Sequence, residues 1–158
     1  MPPIDDSFVA VALGANQTSW VGTPRDTLVA VRPLLEELLV NWAFQDLDFH
    51  WSKFLETKPV GPIKQADYFN AVVLVEGLRV VPSEPLALTL LERLHGLERR
   101  FGRDRSREQR WGARTLDLDL LFWGELRLDH PHLMLPHPRM HMRAFVLEPL
   151  LQAMQQRL

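Results

Sequence analysis

The sequence predicts a single mixed domain whose elements follow the order strand, helix, strand, strand, helix, strand. Two observations lead to this prediction. Short apolar segments rich in β-branched residues alternate with longer segments whose leucines recur at helical spacing. The chain has 158 residues, enough to bury a core without disulfides, and no repeat, low-complexity tract or linker divides it. We therefore expect one domain over residues 1–158.

The first strand and the first helix have clear signals at their ends. The segment from Phe8 to Leu13 is short, apolar and partly β-branched, and reads as a buried strand. It ends at Gly14, where a glycine permits close approach by a backbone or a ligand, although such a glycine more often only marks a turn. Thr23 as N-cap and Asp26 in the first turn then predict a helix start. Pro33 interrupts the helical pattern, and because an interior proline costs about 3 kcal/mol or kinks the helix, the pattern leaves the helix boundary open there.

The middle of the chain predicts two strands separated by a loop. Phe49 to Leu55 alternates and suits a strand of about eight residues, and Tyr68 to Glu76 is a strong strand signal. The loop from Thr57 to Asp67 is long enough to be a lid, although a plain connection fits its composition equally well. Tyr68 and Asn70 share a face, and an aromatic plane beside a carboxamide suits a flat heterocycle. A buried tyrosine with its hydroxyl satisfied is the alternative.

Two further helices are predicted. Ser83 opens the first of them, and Gly102 ends it. Glu98 lies in its last turn, at the negative end of the helix dipole, where an acidic residue is unfavourable. A final helix from Arg143 to Leu158 is expected to close the core and to break near Pro149.

The most informative stretch joins an arginine-rich loop to a strand of alternating leucine and aspartate. Successive strand residues point to opposite faces, so Asp117 and Asp119 share one face. Two carboxylates repel each other unless a cation lies between them, and Mg²⁺ prefers such oxygens while keeping waters and phosphates in its other positions. Solvated aspartates on an exposed antiparallel strand are the alternative. The magnesium interpretation is favoured by nearby arginines suited to phosphate oxygens, namely Arg103, Arg105, Arg107, Arg110 and Arg114.

Composition and charge exclude several classes of protein. The chain is 46% hydrophobic and 24% charged, as in an ordinary globular protein, and it has no cysteine for disulfides or thiolate metal sites. Without an apolar run of membrane-spanning length or a signal-like beginning, we expect a cytoplasmic location. The net charge of −2 argues against a general nucleic-acid binder, yet residues 99–114 carry seven arginines and two acidic residues. Such a local cationic segment fits a small anionic ligand.

Histidines 130, 132, 137 and 141 lie close together in the sequence and raise the question of a zinc site. The prolines of this segment hold the backbone extended, and no H-E-x-x-H pattern is present, so we disfavour this interpretation. His137 and Arg143 fit phosphate contacts equally well.

Several motifs then occur in the order of a known family. They are Leu13-Gly14-x-Asn16, Glu56-Thr57-x-Pro59-x-Gly61-Pro62, Asp67-Tyr68-x-Asn70-Ala71, Arg110-Trp111-Gly112-x-Arg114-Thr115-Leu116-Asp117-Leu118-Asp119 and Pro136-His137-Pro138-Arg139-Met140. With them the chain resembles the 6-hydroxymethyl-7,8-dihydropterin pyrophosphokinase family of folate biosynthesis, from Val9 to about Leu151. The resemblance implies an α+β fold of ferredoxin-like type, with an antiparallel sheet and helices packed on its outer face. It also implies transfer of the β,γ-pyrophosphoryl group of ATP to the pterin hydroxymethyl oxygen, with release of AMP.

The resemblance further implies roles for individual residues. Asp117 and Asp119 would hold two Mg²⁺ ions and form the catalytic set with Arg103 and Arg114. The ATP-binding set would consist of Glu98, Arg103, Arg105, Arg114, His137 and Arg143. The pterin-binding set would consist of Gly14, Thr57, Pro59, Val60, Tyr68, Asn70, Trp111 and Phe145, with Trp111 and Phe145 stacked on the two faces of the ring. The partners implied are ATP and the pterin, with no nucleic acid and no membrane, and we expect a monomer.

The sequence departs from the usual pattern of this family in places. Ala15, Ala113 and Ala144 stand where serine, proline and glycine are common, and the loop from Arg103 to Arg110 is longer than usual. These changes put the rate and the closure of the loop in question more than the chemistry. Two alternatives are a pterin or nucleotide sensor without turnover and an RNA-binding ferredoxin-like module. The intact Asp and Arg set disfavours the first, and the absence of an aromatic R-G-F-type motif disfavours the second.

Overall fold

An antiparallel sheet forms the centre of the chain in the computed structural model, which describes residues 5–59, 61–107, 113–138 and 144–156. Its strands are β1 (Phe8–Ala15), β2 (Asp48–Trp51), β3 (Leu55–Thr57), β4 (Tyr68–Glu76) and β5 (Asp117–Trp123). Across the sheet the order is β2, β4, β1, β5, and β3 pairs with β4 next to the stretch that pairs with β2. A hairpin of β6 (Leu128–His130) and β7 (Leu133–Leu135) forms a small separate sheet.

Helices cover both faces of the central sheet. Within the described ranges they are α1 (Pro24–Ala43), α2 (Glu84–Arg100) and α3 (Ala144–Gln155). Val9, Val11 and Leu13 of β1 belong to the apolar cluster that includes α1 and α2, whereas Phe8, Ala10 and Ala12 belong to the cluster that includes α3. The order of elements and the antiparallel pairing confirm the α+β fold of ferredoxin-like type, with α1 and α2 on one face of the sheet. The expectation of helices on the outer face alone did not include α3, which covers the opposite face. Among the described residues, no helix combines the length and the apolar character that a bilayer crossing requires.

The beginnings of α1 and α2 are fixed by the residues that the sequence indicates. The Thr23 hydroxyl accepts a hydrogen bond from the Asp26 backbone N–H at 3.2 Å, and the Asp26 carboxylate accepts one from the Thr23 N–H at 3.0 Å. The hydrogen bonds from Thr23 also lower the pKa of Asp26. Ser83 caps α2 in the same way through its hydroxyl, which accepts from the Leu86 N–H. An N-cap of this kind stabilises a helix by about 1 kcal/mol.

The expected break near Pro149 is wrong, and the boundary left open at Pro33 is not a helix end. Pro33 lies inside α1 and Pro149 inside α3, and both helices continue past them. In α1 the apolar face holds the helix on both sides of the proline, since Val31 and Leu35 are fully buried. Packing of this face outweighs the cost of about 3 kcal/mol that an interior proline carries.

The second strand was expected as one segment, and it is divided in two. β2 ends at Trp51 and β3 begins at Leu55. Between them, the buried Ser52 donates its N–H to the Val72 carbonyl at 2.9 Å and accepts the Val72 N–H on its hydroxyl at 2.9 Å. The serine side chain thereby replaces one backbone acceptor of the ladder, which lets the chain bend while both segments stay paired with β4.

Candidate active site

A row of three residues crosses the sheet at the end of β1. Gly14 pairs with Asn70 of β4 on one side and with Asp117 of β5 on the other. A Cβ atom at Gly14 would lie only 3.2 Å from Asn70 Oδ1 and 3.6 Å from Tyr68 Cδ1. A side chain at this position would therefore press on the Asn70 carboxamide, and the glycine avoids that contact.

The carboxamide of Asn70 is held in one orientation by β3. Its Nδ2 donates to Thr57 Oγ1 at 2.7 Å and to the Leu55 carbonyl at 3.2 Å, and the residue is 5% exposed. Both amide hydrogens are thus used within the protein, and Oδ1 faces Gly14. Of the residues predicted to bind a pterin, the fold brings together Gly14, Thr57, Tyr68 and Asn70, and Pro59 follows β3 directly along the chain.

Asp117 and Asp119 lie on one face of β5, as the alternation predicts. The leucines between and before them, Leu118 and Leu116, are buried under α1 and α2, while both aspartates remain half-buried on the opposite face. Asp119 pairs with Ala12, two residues before Gly14 on β1. Each aspartate therefore has a small residue of β1 as its neighbour across the ladder.

These two aspartates fit a magnesium ion. They offer oxygen ligands on one face, and the side chain of Asp117 is 32% exposed. In the part of the chain that the structure describes, no group of three His, Asp or Glu residues forms a metal site. A pair of carboxylates suits Mg²⁺, because this ion is commonly bound through one or two carboxylates and takes its other ligands from water and substrate phosphates.

A buried ion network lies behind Asp117. The Glu98 side chain, 1% exposed at the end of α2, accepts hydrogen bonds from Arg103 Nη1 at 2.7 Å, Arg105 Nη2 at 2.9 Å and the Leu118 backbone N–H at 2.8 Å. Burial raises the pKa of Glu98, while the Arg103 charge and the Leu118 hydrogen bond oppose the shift. The unfavourable place of this acid at the helix C-terminus is explained by its partners, because two guanidinium groups and a strand N–H surround it.

Arg103 is the centre of this network and not an extended side chain in a loop. Its Nη1 also donates to Asp117 Oδ1 at 2.8 Å and to the Leu116 carbonyl at 3.1 Å, and its side chain is buried. Arg103 thus joins a buried carboxylate to the candidate metal ligand. Sequence reasoning assigned Arg103 to phosphate and could not foresee this arrangement.

The other residues predicted to bind phosphate differ from Arg103 in their hydrogen-bond partners and in their exposure. Arg105, within the turn of 3-10 helix Arg105–Arg107, is bound to Glu98 and still half-exposed. Arg114 is half-buried just before β5, and His137 is held beside β5 by a hydrogen bond of 2.7 Å from its N–H to the Leu121 carbonyl. Val60, Trp111 and Arg143 lie outside the described residues, and for Phe145 only the backbone is described.

A cleft of about 430 Å³ opens between the loops at this end of the sheet. Among its charged lining residues, Lys64, Arg103 and Arg107 outnumber Asp104. Thr115 also lines it, and the buried Thr115 hydroxyl has no hydrogen-bond partner among the described residues. The lining residues are Gln17, Ile63, Lys64, Gln65, Gly102, Arg103, Asp104, Arg107, Ala113 and Thr115. The sequence analysis gave no role to Thr115 or Gln65. Thr115 lies within one of the motifs, and Gln65 lies two residues before another.

The surroundings of His95 on α2 lead us to expect that the stability of the protein depends on pH. Burial, and then the charges of Arg105, Arg103 and Arg99, lower the pKa of His95 to about 4 from its ordinary value of 6.5. Below pH 6.5 the unfolded chain binds a proton at His95 that the folded chain does not bind until about pH 4, so stability falls as the pH drops through this window. We expect His95→Gln to flatten the fall in the free energy of unfolding between pH 7 and pH 4.5, measured by urea titration. An equal fall in both proteins would contradict the assignment.

Comparison with known proteins identifies the family of this chain. The family model for 7,8-dihydro-6-hydroxymethylpterin-pyrophosphokinase matches residues 10–155. A protein of Haemophilus influenzae named 2-amino-4-hydroxy-6-hydroxymethyldihydropteridine pyrophosphokinase is 38% identical over 142 residues, which cover 90% of this chain and 78% of that protein. A protein of the same name from Pseudomonas aeruginosa is 37% identical over 142 residues, covering 90% and 77%. Another from Synechocystis is 44% identical over 99 residues, covering 63% and 46%.

Proposed function

The chain belongs to the 7,8-dihydro-6-hydroxymethylpterin-pyrophosphokinase family, and from this membership we propose roles for the residues at the ends of β1, β4 and β5. As a member it transfers the pyrophosphoryl group of ATP to 6-hydroxymethyl-7,8-dihydropterin in folate biosynthesis, giving the pterin diphosphate and AMP. The observation that carries the site assignment is the row Asn70, Gly14, Asp117 across three neighbouring strands. It sets a candidate ring-binding residue and a candidate metal ligand on either side of one glycine.

The pterin side of the proposed site is built on β3 and β4. Tyr68 and Asn70 lie beside Gly14, and Thr57 fixes the Asn70 carboxamide by a 2.7 Å hydrogen bond. We assign to Asn70 Oδ1 the role of acceptor for a donor on the ring edge, because the two amide hydrogens are already used. Pro59, Val60, Trp111 and Phe145 complete the proposed pocket, the last two by stacking on the ring.

The ATP side is built on β5 and the arginine segments. Asp117 and Asp119 would hold Mg²⁺, two ions in our proposal, and this metal would draw charge from the phosphate oxygens of ATP. Arg105, Arg114, His137 and Arg143 are proposed to bind and neutralise those phosphates. Phosphoryl transfer depends on positioning and charge compensation more than on covalent chemistry. In this proposal the row Asn70, Gly14 and Asp117 aligns the pterin hydroxyl with the phosphates of ATP.

Arg103 and Glu98 have a less direct part in this proposal. Arg103 Nη1 lies 2.8 Å from Asp117 Oδ1, so its charge acts on the proposed metal ligand and on the phosphates next to it. Glu98 fixes Arg103 and Arg105 at the start of the loop and balances their charge. We propose in addition that the chain works as one domain and as a monomer in the cytoplasm, since a single chain provides both halves of the row.

Turnover by the purified protein tests the function. With Mg²⁺, ATP and 6-hydroxymethyl-7,8-dihydropterin we expect AMP and the pterin diphosphate to be released in equal amounts. Anion-exchange chromatography measures both products. ATP without the pterin should release far less AMP, and EDTA should stop the reaction. Pterin binding without AMP release would instead indicate a sensor that keeps the pocket and has lost the chemistry.

A further inference from the structure

The chain from β2 to β3 carries one residue more than the part of β4 that it pairs with. Trp51 at the end of β2 pairs with Val73, and Leu55 at the start of β3 pairs with Asn70. Four steps along the chain from 51 to 55 therefore correspond to three steps along β4 from 73 to 70. One extra residue on one of two antiparallel strands is a β-bulge, and it lies between Trp51 and Leu55.

This bulge decides which side chains of β3 lie beside the candidate site. Successive strand residues alternate between the two faces of a sheet, so one extra residue exchanges the faces of all residues that follow it. Without the bulge, Glu56 would lie opposite Tyr68 and share the face of Asn70. Thr57 lies opposite Tyr68 instead. The bulge therefore selects Thr57 over Glu56 for the face that carries the candidate site.

The selected register fixes the carboxamide of Asn70. Its Nδ2 donates to Thr57 Oγ1 at 2.7 Å and to the Leu55 carbonyl at 3.2 Å, and both acceptors belong to β3. In the proposed function, Asn70 Oδ1 accepts a hydrogen bond from the pterin ring, and this orientation holds only while β3 binds Nδ2. In the other register, Glu56 would bring a longer and charged side chain to the same place.

Side chains from two elements hold the bulge. The hydroxyl of the buried Ser52 accepts the Val72 N–H at 2.9 Å and donates to the Lys53 carbonyl at 2.9 Å. The Lys53 N–H donates to Oε1 of Gln152, on α3, at 2.7 Å. Lys53 belongs to neither β2 nor β3, and side chains bind both of its backbone groups. The bulge is thus fixed within the strand by Ser52 and from the covering helix by Gln152.

We propose that Ser52 and Gln152 are positioning residues for the pterin half of the site, which act by fixing the bulge at Lys53; this rests on the proposed function. When the bulge is not fixed, the two registers of β3 compete, and only one of them orients Asn70 for the pterin. The apparent pterin affinity then falls by the fraction of molecules in the competent register. The nucleotide half lies on β5 and keeps its affinity.

Gln152→Met tests the contact from α3. Methionine has a similar length and lacks the oxygen that accepts the Lys53 N–H, whereas Gln152→Glu keeps an oxygen there. Gln155→Met makes the same change at an exposed position of α3. In steady-state assays we expect Gln152→Met to raise the pterin KM by about 2-fold to 10-fold, the range of one hydrogen bond, with kcat and the ATP KM within about 2-fold. Gln152→Glu and Gln155→Met should match the wild type.

Deletion of Lys53 removes the extra residue itself. The ladder then continues without a bulge, which places Glu56 opposite Tyr68 and turns Thr57 to the other face. We expect the pterin Kd, measured by titration calorimetry with Mg²⁺ and a non-hydrolysable ATP analogue, to rise about 100-fold, because both hydrogen bonds to Asn70 Nδ2 are lost. The Kd of the ATP analogue itself should stay within about 3-fold of wild type.

Three results would overturn the inference. They are a wild-type pterin KM in Gln152→Met, an unchanged pterin Kd in the Lys53 deletion, and an equal rise of the pterin KM and the ATP KM in Gln152→Met. The last result would indicate a general loss of structure, which acts on both substrates. A wild type that neither binds the pterin nor releases AMP would instead contradict the proposed function. If the Lys53 deletion does not fold, the comparison of Gln152→Met with Gln152→Glu decides alone.

Discussion

Asp117→Asn is expected to lower kcat by about 10²-fold to 10³-fold, the range found when one group that stabilises a developing charge is removed. Asparagine has nearly the same shape and keeps an oxygen for Arg103 Nη1, now 2.8 Å from Asp117 Oδ1. It removes the negative charge, so the proposed site holds Mg²⁺ less well and the Arg103 charge is no longer balanced on this side. The loss should therefore fall on turnover more than on folding.

A magnesium titration of the steady-state rate distinguishes the two contributions of this charge. A variant that has only lost metal affinity should regain part of its rate at high Mg²⁺, while the lost charge balance at Arg103 should persist. Asp129→Asn, at an exposed position of β6, makes the same change away from the site and should behave as wild type. Wild-type kcat with an unchanged Mg²⁺ dependence in Asp117→Asn would remove Asp117 from the proposed metal site.

The parts of the fold that the sequence predicted depend on local patterns. Alternation of leucine and aspartate placed Asp117 and Asp119 on one face of β5, because the two-residue repeat of a strand leaves no other choice when Leu116 and Leu118 are buried. The N-caps Thr23 and Ser83 were found for the same reason, since a cap involves only residues within one turn.

The parts that the sequence did not predict depend on contacts between distant segments. Pro33 is tolerated because buried residues on either side of it pack against the sheet, and no local rule contains that packing. The partner of each charged side chain is a similar case. Seven arginines from Arg99 to Arg114 are equivalent by pattern, and only the approach of α2 to β5 selects Arg103 for Glu98 and Asp117.

The sequence therefore indicated which candidate residues could lie together, but not which hydrogen-bond partners they have. Gly14, Asn70 and Asp117 were chosen from separate motifs, and the pairing of β1 with β4 and β5 sets them in one row. Asn16 was quoted within a motif without a role, because its hydrogen-bond partners are about 50 and 98 positions away in the chain. Neither the periodicity of apolar residues nor the capping rules can identify a residue that connects two loops.

Glu98→Ala is expected to destabilise the protein by about 3–5 kcal/mol, the cost of removing one partner of a buried ion pair. Arg103 would stay buried with one counter-charge fewer, Arg105 would lose its partner, and the Leu118 N–H would lose its acceptor. Urea unfolding measures this loss, and Glu92→Gln at an exposed position of α2 is the control that should cost almost nothing. A loss below about 1 kcal/mol in Glu98→Ala would mean that the network does not hold this end of the site.

Pairing Glu98→Leu with Arg103→Met then separates the structural part of the network from its catalytic part. Replacing a whole buried ion pair by apolar side chains of similar volume is often neutral for stability, so the double variant should regain most of what Glu98→Ala loses. Its kcat should stay low, because Asp117 loses the guanidinium 2.8 Å away and Arg105 loses the carboxylate that fixes it. Recovery of stability and turnover together would mean that Glu98 and Arg103 only fill space. Recovery of stability alone would mean that their charges position the proposed metal-binding end of β5.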